Sequence, residues 1–178
     1  MNKLYVIRHG ETDSNTSGIV HGRTEEGLNS NGENQMTIVH EQIKDIHFDA
    51  VYASPVRRAK EAANIVAPNY HIIYDDRLSE RFLGQLAGCT IDELWARPDW
   101  NSLEVEHTPE GAETLLAGLK RVELFLEDIR EKHTDDTILI VTHSFVSRCL
   151  WILTEKIDDP ETMRKFNHPN SEIKIYNI

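Results

Sequence analysis

The chain has 178 residues, 39% hydrophobic and 28% charged, and its 19 Lys and Arg stand against 30 Asp and Glu for a formal charge of −11. That is an ordinary soluble composition with enough core for one domain, here taken as residues 1–178, and it is too acidic for general nucleic-acid binding. An anionic ligand has to be captured by a few placed cations against a repulsive overall field.

The apolar stretch Leu4 to Ile7 reads as a short first strand and is too short for a signal peptide. Ser30, with Glu33 three residues on, reads as a capping box opening a helix whose apolar face is Met36, Val39, Ile43 and Ile46. Ala50 to Ala53 is the next strand. Ser54-Pro55 reads as an N-cap followed by proline, opening a helix with the stripe Val56, Ala59, Ala63 and Val66. His71 to Tyr74 is a third strand. From Gly84 to Gly111 the pattern is less regular, an excursion above the sheet with a short helix near Ile91 to Ala96. A long helix covers about Ala112 to Lys132, with Leu115, Leu119, Val122, Leu126 and Ile129 in register. Thr137 to Thr142 is a strongly apolar strand. Ser144 can cap a helix with Val146, Cys149, Leu150 and Leu153 inside, and Glu172 to Ile178 alternates as a final strand would. Repeated βα units imply an α/β fold, a three-layer α/β/α sandwich with a mostly parallel sheet. No apolar run is long enough for a membrane span, and Cys89 and Cys149 form no disulfide or metal framework, which reads as reduced thiols in a cytoplasmic protein.

Three strands end in polar residues. The first leads into Arg8-His9-Gly10-Glu11-Thr12, the second into Ser54-Pro55-Val56-Arg57-Arg58, and the strand from Thr137 into Thr142-His143-Ser144. In open α/β sheets ligands bind beyond the carboxyl ends of the strands, where helix N-termini offer free N–H groups and a positive dipole end. Two histidines, at least two arginines and helix N-termini converging there would suit a phosphate dianion. Each piece has a plain structural reading as well: a satisfied histidine, or an arginine solvated on a helix face.

Arg8-His9-Gly10-Glu11-Thr12 resembles the R-H-G-E-T signature of the histidine phosphatase superfamily, in its phosphoglycerate mutase-like branch. The resemblance continues through Asn15, through Ser54-Pro55 with Arg58-Ala59 and Ala63, and through Leu78, Glu80 and Gly84. It goes on at Pro109, Gly111, Glu113 and Thr114, at Val141-Thr142-His143, and at Arg148. The blocks fall in the family's order from residue 4 to about 177.

The resemblance implies a metal-independent phosphatase of small phosphate monoesters, with no cofactor. His9 would be the nucleophile and form a phosphohistidine; Glu80 would be the general acid. Arg8, Arg58 and His143 would clamp the phosphoryl oxygens, Asn15 and the Ser144 N–H would add hydrogen bonds, and His21 and Gly22 would line the entrance. Glu11 is left out of this set, as a buttress. The partner expected is a small phosphorylated metabolite, with no nucleic acid and no membrane; family members occur as monomers and as dimers, so a homodimer stays open. Departures from the family pattern are Ser144-Phe145 after the second histidine, Ala87 after Gly84, and Gly27-Leu28-Asn29 before the second helix.

Two rival readings remain. Glu80-Arg81-Phe82-Leu83-Gly84 is similar to the phosphoglycerate mutases' E-R-H-Y-G, but Leu83 stands at the tyrosine and the excursion is brief, which favours a phosphatase over a mutase. A non-catalytic phospholigand-binding module would need the arginines but not both His9 and Glu80. At the mouth, His21, Arg81, Trp95, Trp100 and His107 are candidates for contact with the rest of the substrate.

Overall fold

Four apolar segments, each followed by a helix or turn, build a parallel sheet, and the C-terminal strand adds one antiparallel edge. The computed structural model describes residues 1–97 and 111–178. Its strands are β1 (Lys3–Arg8), β2 (Ala50–Ala53), β3 (Ile72–Tyr74), β4 (Thr137–Thr142) and β5 (Ile173–Asn177), in the order β3-β2-β4-β1-β5. β1 pairs in parallel with β4, which pairs in parallel with β2, and β2 with β3; β5 runs antiparallel to β1. The sheet is mostly parallel, as expected.

The helices are α1 (Asp13–Ser17), α2 (Ser30–Ile43), α3 (Arg57–Val66), α4 (Ile91–Ala96), α5 (Leu115–Lys132), α6 (Ser144–Glu155) and α7 (Pro160–Arg164). One sheet face buries Tyr5, Ile7, Val51, Ala53, Leu139 and Val141 against Met36, Val39 and Ile43 of α2 and Ala62, Ala63 and Val66 of α3. The other buries Leu4, Val6, Tyr52, Ile138 and Ile140 against Leu115, Val122, Phe125 and Ile129 of α5 and Val146, Cys149 and Leu150 of α6. Residues of opposite parity along β1 and β4 thus serve opposite helix layers, which is why these strands read as continuous apolar runs.

Helix starts differ from expectation by one to three residues, and the reasons are local. α2 is capped by Asn29, whose side chain accepts from the Gly32 N–H, so Ser30 is already helical. α3 begins after Val56; the Ser54 hydroxyl accepts from the Val56 N–H in the turn before the helix instead of capping its first turn. α6 has His143 at its N-cap position, without a side-chain cap bond, and Ser144 is its first residue. α5 begins at Leu115, capped by Thr114 on the Ala117 N–H. The short helix expected near Ile91 to Ala96 is α4, opened by a Thr90–Glu93 capping box. Pro109, Trp100, His107 and the middle of the excursion lie outside the described residues. Among the described residues no helix is long and apolar enough to cross a membrane.

Candidate active site

Sheet register brings the three polar strand ends together. Ile7 and Ala53 both lie opposite Val141, and Arg8 lies opposite Thr142. The ladder is extended by His9 N–H to Thr142 O at 3.1 Å and Ser54 N–H to Val141 O at 3.0 Å. His9, Ser54 and His143 therefore leave adjacent strands at one level, where the central pair β1–β4 meets β2. The rings of His9 and His143 stand edge to face with centroids 5.2 Å apart.

His9 is almost completely buried, and its hydrogen bonds fix its tautomer. Nδ1 lies 2.7 Å from the Gly10 carbonyl, which can only accept, so Nδ1 carries the proton. Nε2 keeps its lone pair and accepts from Arg58 Nε at 3.0 Å. Burial first, then Arg58 and Arg8, drive the His9 pKa well below its ordinary value, so the ring is neutral. A neutral imidazole with an unprotonated Nε2 is the form that can attack phosphorus.

Arg58 projects from the first turn of α3 and is 1% exposed. Besides His9 it donates through Nη2 to the Gly22 carbonyl at 2.8 Å and through Nη1 to the Thr24 carbonyl at 3.3 Å. Arg8, at the end of β1, is held by its Nη1 on the His168 carbonyl at 2.8 Å, and its Nε has no protein partner. Burial lowers the pKa of both guanidinium groups and Glu80 opposes the effect. An anion among them would offset the cost of keeping two cations out of water.

These groups open onto a cleft of about 240 Å³. Of the residues expected at the site, Arg8, His9, Asn15, His21, Gly22, Arg58, Glu80 and Ser144 line it. His143 does not face the open cleft: it is fully buried beside His9, with Nε2 on the Ser54 hydroxyl at 2.7 Å and Nδ1 without a hydrogen-bond partner. Its pKa is driven well down by burial and then by Arg58. His21 forms wall more than free donor, because Nε2 meets the Thr12 hydroxyl at 2.8 Å and Nδ1 meets Glu26 at 2.8 Å. Burial and then Arg58 lower its pKa to about 4, against the pull of Glu26. Gly22 supplies its carbonyl to Arg58. Ser144, the first residue of α6, brings helix N–H groups to the cleft. Glu80 follows the turn after β3, and its Oε1 accepts from the Arg81 N–H at 2.8 Å. Glu11 faces away from the cleft, accepting from Asn29 and Asn31 at the start of α2.

Arg81, Phe145 and Arg148 complete one side. Phe145, the departure after the second histidine, is a wall of the cleft: its ring packs on Gly118 and under the guanidinium of Arg81, 5.1 Å from the centroid. Arg148 Nε has no hydrogen-bond partner. The opposite wall is apolar, made of Ile19, Val20, Leu83, Ile91 and Leu94. Trp95 is 61% exposed and is not among the lining residues. Among the described residues no group of three His, Cys, Asp or Glu is arranged to hold a metal ion.

Two contributors come from the loop before β5, which carries no pattern that reading the sequence could have used. His168 is fully buried, with Nδ1 2.5 Å from the Ser147 hydroxyl and Nε2 2.9 Å from the Glu172 carbonyl, and its own carbonyl holds Arg8. Asn170 reaches the backbone of His9 and Gly10 and the side chain of Asn15.

Comparison with known proteins agrees with this geometry. A family model described as "Histidine phosphatase superfamily (branch 1)" matches residues 4–178. The uncharacterized phosphatase PhoE of Bacillus subtilis is 33% identical, over 100% of this chain and 95% of its own. Phosphoserine phosphatase 1 of Hydrogenobacter thermophilus is 29% identical, over 89% of this chain and 78% of its own. The crystal structure of the phosphoserine phosphatase of Entamoeba histolytica in complex with 3-phosphoglyceric acid superposes with a TM-score of 0.87 at 27% identity, covering 98% of this chain and 90% of that one.

Proposed function

The chain belongs to the histidine phosphatase superfamily, and on that footing we propose that it hydrolyses small phosphate monoesters through a phosphohistidine on His9, without a metal. The observation that carries the reading is the buried neutral His9 whose lone pair lies at Nε2, in a cleft lined by Arg8 and Arg58.

His9 Nε2 attacks phosphorus as the bond from phosphorus to the ester oxygen breaks. Glu80, acting as general acid, gives a proton to the departing alkoxide. Glu80 then takes a proton from a water, whose oxygen attacks phosphorus as the N–P bond breaks, and His9 returns to its neutral tautomer. Arg58 shifts its Nε hydrogen bond from His9 to a phosphoryl oxygen, which uncovers the lone pair. Arg8, the amide of Asn15 and the first N–H groups of α6 hold the other oxygens, with the buried His143 packed behind His9, so charge that develops in the transition state meets donors already in place. Arg148 offers a cation to a second anionic group, such as the carboxylate of a phosphoserine-like ester. The partner is a small phosphorylated metabolite, and the thiols and acidic charge suit a cytoplasmic protein.

The test is phosphate release from p-nitrophenyl phosphate in excess EDTA, followed by a panel of small phosphomonoesters. Release that persists in EDTA and is abolished by His9→Ala supports the reading; near-wild-type release by His9→Ala refutes it. Transfer to a second phosphoglycerate hydroxyl with little release would mark a mutase, and binding without turnover a phospholigand module.

A further inference from the structure

One amide group touches three parts of the catalytic loop. Asn170 Nδ2 lies 2.9 Å from the His9 carbonyl, 3.2 Å from the Gly10 carbonyl and 3.2 Å from Asn15 Oδ1. All three neighbours accept hydrogen bonds, so the NH₂ of Asn170 must face them. The first is the backbone of the nucleophile itself. The other two have consequences for side chains in the cleft.

The Gly10 carbonyl is the acceptor that keeps the proton on His9 Nδ1 and leaves the lone pair on Nε2. Asn170 holds that carbonyl in place. Asn15 Oδ1 is engaged twice, by the Thr12 N–H at 3.2 Å and by Asn170. With its oxygen turned to those donors, the Asn15 NH₂ is the end left for the cleft, and it can only donate. An Asn15 turned the other way would present a carbonyl oxygen to a phosphate dianion.

We propose that Asn170 is a positioning residue of the phosphatase site, its amide fixing both the His9 tautomer and the donor face of Asn15. It stands on a braced loop. Ser171, at φ +62°, donates its N–H to the Arg8 carbonyl at 3.1 Å, and the Glu172 carbonyl accepts from Arg8 N–H. A non-glycine residue held in the left-handed region signals a backbone determined by its surroundings. Four groups of the site, Arg8, His9, Gly10 and Asn15, are thereby tied to a loop more than 150 residues away in the chain.

This inference rests on His9 as nucleophile, and its test has one arm that needs no turnover. Asn170→Asp keeps the shape but sets a carboxylate against three oxygen acceptors, and Asn170→Ala removes the donor. In the folded variants, Asn170→Ala is expected to lose about 10- to 100-fold in kcat/KM. Asn170→Asp loses more near neutral pH and recovers at least about tenfold relative to wild type as the solution is acidified to about pH 5, because a protonated carboxyl regains one donor. A purely structural role gives parallel pH profiles. In the second arm, ¹⁵N shifts of the His9 ring report the tautomer: proton on Nδ1 in wild type, a mixture in Asn170→Ala.

Activity within about threefold of wild type in Asn170→Ala, or parallel profiles with an unchanged His9 tautomer, overturns the proposal. If wild type releases no phosphate while the tautomer still shifts in Asn170→Ala, the positioning role holds and the phosphatase reading fails. If a variant does not fold, the folded isostere decides the question by the same two readouts.

Discussion

Acid should destabilise this protein well above the pH at which carboxylates titrate, and His168 allows the size of the effect to be worked out. The Glu172 carbonyl can only accept, so Nε2 of His168 carries the proton and Nδ1 accepts from the Ser147 hydroxyl. The fold is built around the neutral ring. Burial, the largest cause, brings its pKa down from 6.5 to about 4. The unfolded chain takes up this proton near 6.5, while the folded chain refuses it until about 4. In that window the unfolded state binds more protons, so stability is fully present above pH 6.5 and is lost as the pH falls toward 4. At about 1.4 kcal/mol per tenfold in proton affinity, His168 alone accounts for about 3 kcal/mol, a large share of a typical domain's stability. His9, His143 and His21 are lowered by the same cause and steepen the slope. The assay is urea unfolding at about pH 7, 6, 5 and 4.5 for wild type and His168→Gln. The variant starts from a lower stability, but its slope between pH 6 and 4.5 is shallower by up to about 1.4 kcal/mol per pH unit. Parallel slopes would refute the assignment of the neutral ring to His168.

Two further outcomes are expected. Glu80→Gln should cost alkyl phosphates at least about tenfold more in kcat/KM than p-nitrophenyl phosphate, since only a poor leaving group needs the proton; equal losses would remove Glu80 from the general-acid role. Gly32→Ala should lower stability by about 2–4 kcal/mol in thermal or urea unfolding, with activity falling too. A Cβ there would lie 2.1 Å from the Glu11 carbonyl oxygen, in backbone that follows directly on His9 and Gly10, and an unchanged midpoint would show that this approach is not tight.

How much of this was legible in the sequence depended on the range of the interaction. The apolar runs of β1, β2 and β4 are local, and the polar residues that follow them mark the carboxyl edge, so the sequence itself puts His9, Arg58 and His143 at that edge. Helix starts were legible only to within one to three residues. Asn29 and Ser30 are both good N-cap types, and the choice between them is made where Gly32 packs against Gly10 and Glu11, a contact between segments. α1 and α7, five residues each, are too short to show a helical period. His168 and Asn170 were illegible for a different reason. Each is an ordinary polar residue in a polar loop, and its role exists only because β5 pairs with β1 and returns that loop to the far end of the chain.

The overall charge of −11 and a cleft made for anions look contradictory until distances are considered. At physiological salt, surface charges farther apart than about 8 Å are largely screened from one another. Inside the cleft the lining cations are Arg8, Arg58, Arg81 and Arg148, and Glu80 is the one carboxylate among the described lining residues. Arg8 and Arg58 are drawn deep enough that screening by solvent is weak, which makes each contact with phosphate stronger than it would be at the surface. A compact dianion that fits about 240 Å³ enters that local field and leaves the surface potential behind. A long polyanion gains less from it, because most of its charge stays outside the field of these arginines. The placement of these charges therefore matches a small phosphomonoester better than an extended polyanion, through the local field as well as through the walls.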